Sequence, residues 1–308
     1  MMTKILITGG SGLVGTALTE QLISKGYEVV HLGRQQDTNP GITKYTWSPM
    51  KGEIDESAFD GVDYIVNLAG ANLSEKRWTR ERKNEIKKSR TKSTELIFDR
   101  LQQRNEKPKA LVSASAIGYY GYDSGSIEKK EGSRFGDDFL ATVVKEWEAE
   151  VDKFTDLNIR TVKLRMGLVL SKKGGALEKI AKPVKLGFGA ALGRGDQYIS
   201  WIHIEDLCGI IIKALEDQTL NGVYNAVSPN PVTNKEFTRQ LALILKRPFF
   251  LPNVPGFLLK IMLGEMASLV LGGNKVSSEK IENSGFEFQY PELSLALIDL
   301  IRQRRIRD

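Results

Sequence analysis

Three glycines near the start of the chain have the residue type and the spacing to cradle a pyrophosphate: Gly9, Gly12 and Gly15 in Thr8-Gly9-Gly10-Ser11-Gly12-Leu13-Val14-Gly15. The first permits a tight turn, the second lets a phosphate approach the backbone, and the third allows a helix to pack closely on a strand. N–H groups at the start of that helix then face the phosphates. An ordinary strand-to-helix turn needs only one glycine. Arg34 stands at the end of the next strand signal, Glu28 to Arg34, where an NAD-specific unit carries an acid for the ribose 2′-hydroxyl. A guanidinium there would pair bidentately with a 2′-phosphate, so the expected cofactor is NADP(H). Against it stands Asp37 in the same loop, with Arg34 then only a surface arginine. Asn67-Leu68-Ala69-Gly70-Ala71 places small residues at another strand end, where a dinucleotide has room to lie; tight packing without ligand is the competing reading.

These residues need a frame to hold them. Apolar strand signals at Lys4–Ile7, Glu28–Arg34, Val62–Gly70, Ala110–Ser115 and Thr161–Arg165 alternate with helical patterns, the signature of βαβ units and a parallel sheet with helices on both faces. A helix is expected from about Phe139 to Phe154, with Phe139, Val143, Trp147 and Val151 on one face. Past Gly167 the texture changes to glycine-rich loops around a short helix, a strand-like segment from Tyr198 to Ile204, and a mainly helical tail from Thr233. The expected architecture is α/β: a Rossmann-type doubly wound parallel sheet over residues 1–167, completed by a strand near 222–228. A smaller, discontinuous, mainly helical lobe over residues 168–308 would cover the C-terminal edge of the sheet, where ligands sit in open α/β folds.

Composition narrows the classes. With 308 residues the chain can bury a large core, and its apolar and charged fractions are those of a globular protein. One cysteine, Cys208, and two histidines exclude a disulfide framework and make a metal site unexpected. The most apolar stretch, Phe257 to Gly273, is broken by Lys260 and Glu265 and is shorter than the ~20 residues of a spanning helix, so it reads as a buried or subunit-facing helix and no membrane partner is expected. Met1-Met2-Thr3-Lys4 leads straight into the first strand, which suggests the cytoplasm. A net charge of +6 suits a polyanionic ligand, while the basic run from Arg77 to Lys92 is interleaved with Glu81 and Glu85 and reads as a solvated helix, not a nucleic-acid surface.

The glycine motif, Asn67-Leu68-Ala69-Gly70 and Ser113-Ala114-Ser115-Ala116-Ile117-Gly118-Tyr119-Tyr120-Gly121 together resemble the extended short-chain dehydrogenase/reductases, the group that contains the nucleotide-sugar epimerases. Trp147-Glu148, Arg165-Met166-Gly167, Gly174-Gly175-Ala176, Trp201 to Leu207, Pro231 to Asn234 and Leu271-Gly272-Gly273 narrow the similarity to the YfcH-type epimerase-family proteins, over nearly the whole chain. The resemblance implies NADP preference, cofactor contacts from the glycine loop, Gly33, Arg34, Leu68 and Ala69, and further contacts from Glu85, Arg90 and Val169. It implies a homodimer only at family level and supplies no substrate. The extended group uses a serine to hold the reacting oxygen, and a tyrosine acid/base whose pKa a lysine four residues later lowers. Ser115 matches the serine. None of the nine tyrosines has lysine at the fourth position after it. Tyr119 or Tyr120 would have to substitute, with Lys145 supplying charge, unless all three are structural. His203, in an apolar segment, reads as a core histidine; Arg165 and Arg194 are candidates to meet an anionic substrate. The expected function is an NADP(H)-dependent oxidoreductase or epimerase-like enzyme acting on an unidentified carbonyl or hydroxyl compound. The alternative is an NADP(H)-binding sensor with little turnover.

Overall fold

Lys4–Thr8 forms the first strand, β1, and Ile5, Leu6 and Ile7 are buried without exposure. A strand covered on both faces carries apolar side chains at successive positions, which is why no alternation marks it. The computed structural model describes residues 2–34 and 41–302, so Asp37 lies outside the described residues. In chain order β1 is followed by α1 (Leu13–Ser24), β2 (Glu28–Gly33), β3 (Thr43–Ser48), β4 (Glu53–Ile54), β5 (Tyr64–Asn67), α2 (Arg80–Gln102), β6 (Ala110–Ala116), β7 (Asp123–Lys129), α3 (Phe139–Asp152) and β8 (Arg160–Met166). The remainder comprises β9 (Leu168–Leu170), α4 (Ala176–Lys185), β10 (Tyr198–Ile199), β11 (Trp201–His203), α5 (Ile204–Glu216), β12 (Gly222–Ala226), β13 (Val232–Thr233), α6 (Asn234–Ile244), α7 (Gly256–Leu263), α8 (Ser268–Leu271), β14 (Gly273–Val276), α9 (Glu279–Glu282) and α10 (Leu293–Arg302).

The main sheet has eight strands in the order β12-β8-β6-β5-β1-β2-β3-β4, parallel throughout except for the β3–β4 pair. The chain builds outward from β1 through β2 and β3, then returns to the other side of β1 with β5. That reversal opens a crevice at the C-terminal ends of β1 and β5, the place where ligands bind in such sheets. Ile5 and Ile7 face one core with Leu18 and Leu22 of α1 and Leu207, Ile210 and Ile211 of α5. Leu6 faces the opposite core with Leu96 and Ile97 of α2 and Trp147 and Val151 of α3. The doubly wound Rossmann architecture read from the sequence is therefore the fold, and β12 is the late strand that completes the sheet beside β8.

A third core joins Leu177 and Val184 of α4, Trp201 of β11, Phe237 and Leu241 of α6, and Leu293, Ala296, Leu297 and Leu300 of α10. This part differs from the expectation in detail. Tyr198 to Ile204 is two short strands with different partners, β10 with β13 and β11 with β9. The break falls at buried Ser200, whose Oγ donates to the Asn274 carbonyl at 2.7 Å and accepts from the Val276 N–H at 3.0 Å. It thereby pins β14, a strand inside the tail read as mainly helical, which pairs in parallel with β7. Neither β7 nor β14 is an apolar run, so nothing in the periodicity marks the pair.

Candidate cofactor site and the residues beside it

The glycine loop has no room for side chains at Gly9, Gly10 and Gly15. Gly9 has φ +69°, and a Cβ there would lie 2.9 Å from the Leu68 carbonyl oxygen. A Cβ on Gly15 would lie 2.4 Å from the Gly9 oxygen, and one on Gly10 would enter the His31 ring at 2.5 Å. The His31 ring is fixed in turn by the Thr19 hydroxyl, 2.8 Å from Nε2. Gly12 is the N-cap of α1 with no side-chain cap and no acid in the first turn, so the N–H groups of Leu13, Val14 and Gly15 lie at the positive end of the helix without a built-in anion. This is a cradle a dinucleotide's phosphates fit.

Across the crevice, Thr8 Oγ1 donates to Asn67 Oδ1 at 2.7 Å and accepts from the Leu68 and Ala69 N–H groups, both at 3.2 Å. Leu68, Ala69 and Gly70 are thus clamped against the end of β1. Leu68, Val14, Met166 and Val169 pack against one apolar cluster, which sets Val169 of β9 on the same side as the loop. Gly33 ends β2 and Arg34, just beyond it, is exposed. Arg90 of α2 faces the turn at Gly70, with its guanidinium 3.1 Å from where a Gly70 Cβ would stand. It donates to the carbonyls of Ile86 (2.9 Å) and Ala71 (3.2 Å) and lies over the Trp147 ring. No carboxylate pairs with it among the described residues; burial, and then the neighbouring Arg82, pull its pKa down to about 10. An uncompensated guanidinium at this edge fits an anionic group of the cofactor. Glu85, by contrast, is exposed and holds Arg82 at 2.6 Å. The helix read as solvated is buried along Arg82, Ile86, Ser93 and Ile97.

Ser115 is buried near the end of β6, and its Oγ donates to Glu148 Oε1 at 2.5 Å. Arg165, its register partner on β8, grips Glu148 with Nε and Nη2, each at 2.8 Å. Burial by itself lowers the Arg165 pKa, but the carboxylate overrides it and the guanidinium is held above its ordinary value. Its plane also stacks 3.3 Å over the Tyr119 ring, and Nη1 donates to the Tyr120 hydroxyl at 3.1 Å. Tyr120 donates onward to Asn225 Oδ1 at 2.6 Å, and burial raises its pKa. Lys145 lies outside this group, over the Phe135 ring at 4.0 Å. The face of α3 nearest the loop after Ser115 presents Leu140 and Val144: a Cβ on Gly118 would meet them at 3.5 and 4.0 Å. Leu140 and Val144 stand four residues apart on that face, and neither side chain can exchange a proton.

Glu148 is the functional candidate that sequence reasoning missed. An acid on the apolar Val144–Val151 stripe of α3 was the available signal. Arg165 spends its charge on Glu148, and exposed Arg194 pairs with Asp196 at 2.9 Å and Asp123 at 3.0 Å, so each already has an internal carboxylate. His203 is a core residue: Nδ1 accepts from the Glu205 N–H at 3.1 Å, Nε2 lies 3.4 Å from Asp299, and the ring stacks on Tyr290. Burial pushes the Cys208 thiol up to about 12, where it is inert at neutral pH. A surface groove of about 500 Å³ lined by Gln21, Glu205, Gly209 and Phe286 lies between α1 and α5, away from the crevice.

Residues 5–226 match the NAD dependent epimerase/dehydratase family. The chain belongs to that family. Residues 254–300 match a domain of unknown function, DUF1731. Epimerase family protein YfhF of Bacillus subtilis is 36% identical over 303 residues, 98% of this chain and 99% of its own. The crystal structure of human epimerase family protein SDR39U1 (isoform 2) with NADPH superposes with a TM-score of 0.86 at 35% identity, covering 97% of this chain and 99% of that one. UDP-glucose 4-epimerase of Thermus thermophilus, in complex with NAD, shares the fold with a TM-score of 0.75 at 18% identity over 97% of this chain and 99% of that one. Membership makes this an NAD(P)-dependent epimerase-like protein with a Rossmann sheet. No helix among the described residues is long and apolar enough to cross a membrane.

Proposed function

We propose that the chain binds NADP(H) and interconverts a carbonyl and a hydroxyl compound, with a Ser115–Glu148 relay in place of the tyrosine and lysine. The cofactor reading rests on Arg34 at the end of β2, on Arg90 without a carboxylate partner, and on the NADPH bound to the human relative. When bound, NADP(H) supplies or takes the hydride. The observation that carries the reaction is the 2.5 Å hydrogen bond from Ser115 Oγ to Glu148 Oε1. A substrate hydroxyl at the end of β6 gives its proton to Ser115 Oγ as the serine proton passes to Glu148. Arg165, through Nε and Nη2, holds the Glu148 carboxyl group in place beside Ser115.

The second reading, a cofactor-binding sensor, is favoured by Leu140 and Val144 at the place of the acid/base pair. Thermal shift tests the common premise: at a hundred times its dissociation constant NADPH stabilises the protein by about 2.7 kcal/mol, and Arg34→Glu abolishes its advantage over NADH. Equal stabilisation of the native chain by the two cofactors refutes the NADP preference. NADPH oxidation across a carbonyl panel, with Ser115→Ala and Glu148→Gln, then separates the readings. Turnover reduced about a hundredfold or more in both variants supports the relay; turnover unchanged in them refutes it, and NADPH binding with no turnover anywhere supports the sensor.

A further inference from the structure

The helix α7 is turned inside out for a globular protein. Its eight residues include Phe257, Leu258, Ile261 and Met262, exposed to 67, 41, 67 and 64%, and among its residues only Leu259 is buried. Phe257 and Ile261, and Leu258 and Met262, are pairs four apart, so the four side chains form one stripe. The helix is held in place from the other side. Arg77 donates to the Ile261 carbonyl at 2.9 Å, and Lys83 pairs with Glu265 just past the helix. The stripe continues into a neighbouring ribbon: Val254 exchanges backbone hydrogen bonds with Ala191 (2.8 Å) and Gly193 (2.9 Å), and Gly189 approaches Pro248. That ribbon carries Phe188 and Phe250, exposed to 67 and 77%.

Charge says what meets this surface. Residues 182–188 and 243–262 contain Lys182, Lys185, Lys246, Arg247 and Lys260 and not one Asp or Glu. All five cations are exposed. A second copy docked across a two-fold axis would set these cations against themselves with no acid in either segment to pair with them. A phosphate-lined groove would meet the lysines but leave the leucine, isoleucine and methionine without an apolar phase. Aliphatic and aromatic side chains on one face, rimmed by lysine, match a helix lying in a lipid interface above anionic headgroups. We infer that α7 and the adjoining ribbon of residues 186–193 and 248–254 dock on an anionic membrane surface. This departs from the sequence expectation of no membrane partner, which considered only spanning segments.

Co-sedimentation of the full chain with vesicles tests it. The native chain sediments with phosphatidylglycerol-containing vesicles, not with pure phosphatidylcholine, and is released by salt. The double variants Phe257→Ser/Ile261→Ser and Lys182→Glu/Lys185→Glu each lower the bound fraction about tenfold. Unchanged thermal unfolding and NADPH binding show that both remain folded, since all four side chains are exposed. Failure to sediment with anionic vesicles, or equal sedimentation with both kinds, overturns the inference. So does a dimer on size exclusion that Phe257→Ser/Ile261→Ser converts to monomer, because that assigns the stripe to a second copy.

Discussion

Arg90 is the residue where charge and packing disagree most openly. Its guanidinium sits against Gly70 and over Trp147, donates to two carbonyls and the Ser89 hydroxyl, and has its pKa lowered by burial and by the neighbouring Arg82. A buried charge without a partner costs stability in the free protein and is repaid when an anion arrives. Arg90→Met therefore leaves the melting temperature of the free protein unchanged or higher while weakening NADPH about tenfold or more, checked by thermal shift and by fluorescence titration. A loss of both stability and affinity would make Arg90 a packing residue. The sequence carried part of this site openly. Gly9, Gly12 and Gly15 were legible because their spacing sits between a strand and a helix, and Ser115 because it lies near the end of a strand signal. The Ser115–Glu148–Arg165 clamp was not, since its members are 33 and 17 residues apart and are brought together by the register of β6 with β8 and by α3 packing against those strands.

At the scale of elements, helix α5 shows a side chain fixing both an end and a neighbour. His203 caps it through Nδ1, so the ring is read as neutral with its proton on Nε2 toward Asp299. Burial lowers its pKa to about 4, against the pull of Asp299 and with help from Lys172. A histidine held neutral in the folded state contributes stability that is fully present above its unfolded pKa of about 6.5 and drains away as pH falls toward 4. Over the full interval the loss is on the order of 3 kcal/mol. His203→Asn keeps an acceptor for the Glu205 N–H and does not titrate, so the difference in unfolding free energy between the two proteins narrows over that interval; a constant difference from pH 7 to 4 would show that the folded ring takes up its proton as the unfolded one does. Elements with strong periodicity were legible: α3 begins at Phe139 as read and ends at Asp152, with one further turn to Leu157. β14 was not, because Gly-Asn-Lys-Val carries no strand pattern and exists through Ser200 and its pairing with β7.

In the whole molecule the lobe and the sheet meet over the glycine loop. Gly174 and Gly175, with φ +130° and +82°, turn the chain after β9 so that a Cβ on Gly175 would come within 2.9 Å of the Leu13 side chain. Lys173 beside them pairs with Glu20 on α1 at 2.6 Å, and Lys179 at the start of α4 donates to the Ser74 hydroxyl at 2.8 Å across the crevice. The lobe thus touches both walls of the crevice through polar contacts on exposed side chains, each weak enough to open and close. A ligand resting on the N-terminus of α1 lies under this strap and holds it down, whereas opening frees the chain at Lys172 and Lys173, both exposed. At a hundred times its dissociation constant NADPH leaves about one molecule in a hundred unliganded. Trypsin cleavage after Lys172 or Lys173 therefore slows by up to about a hundredfold, read by mass spectrometry of the fragments. Cleavage after Lys51, in a turn between β3 and β4 remote from the strap, serves as the control and keeps its rate. Equal slowing at both places would mean that NADPH acts by stabilising the whole fold; slowing confined to the strap makes the lobe the lid of the cofactor crevice.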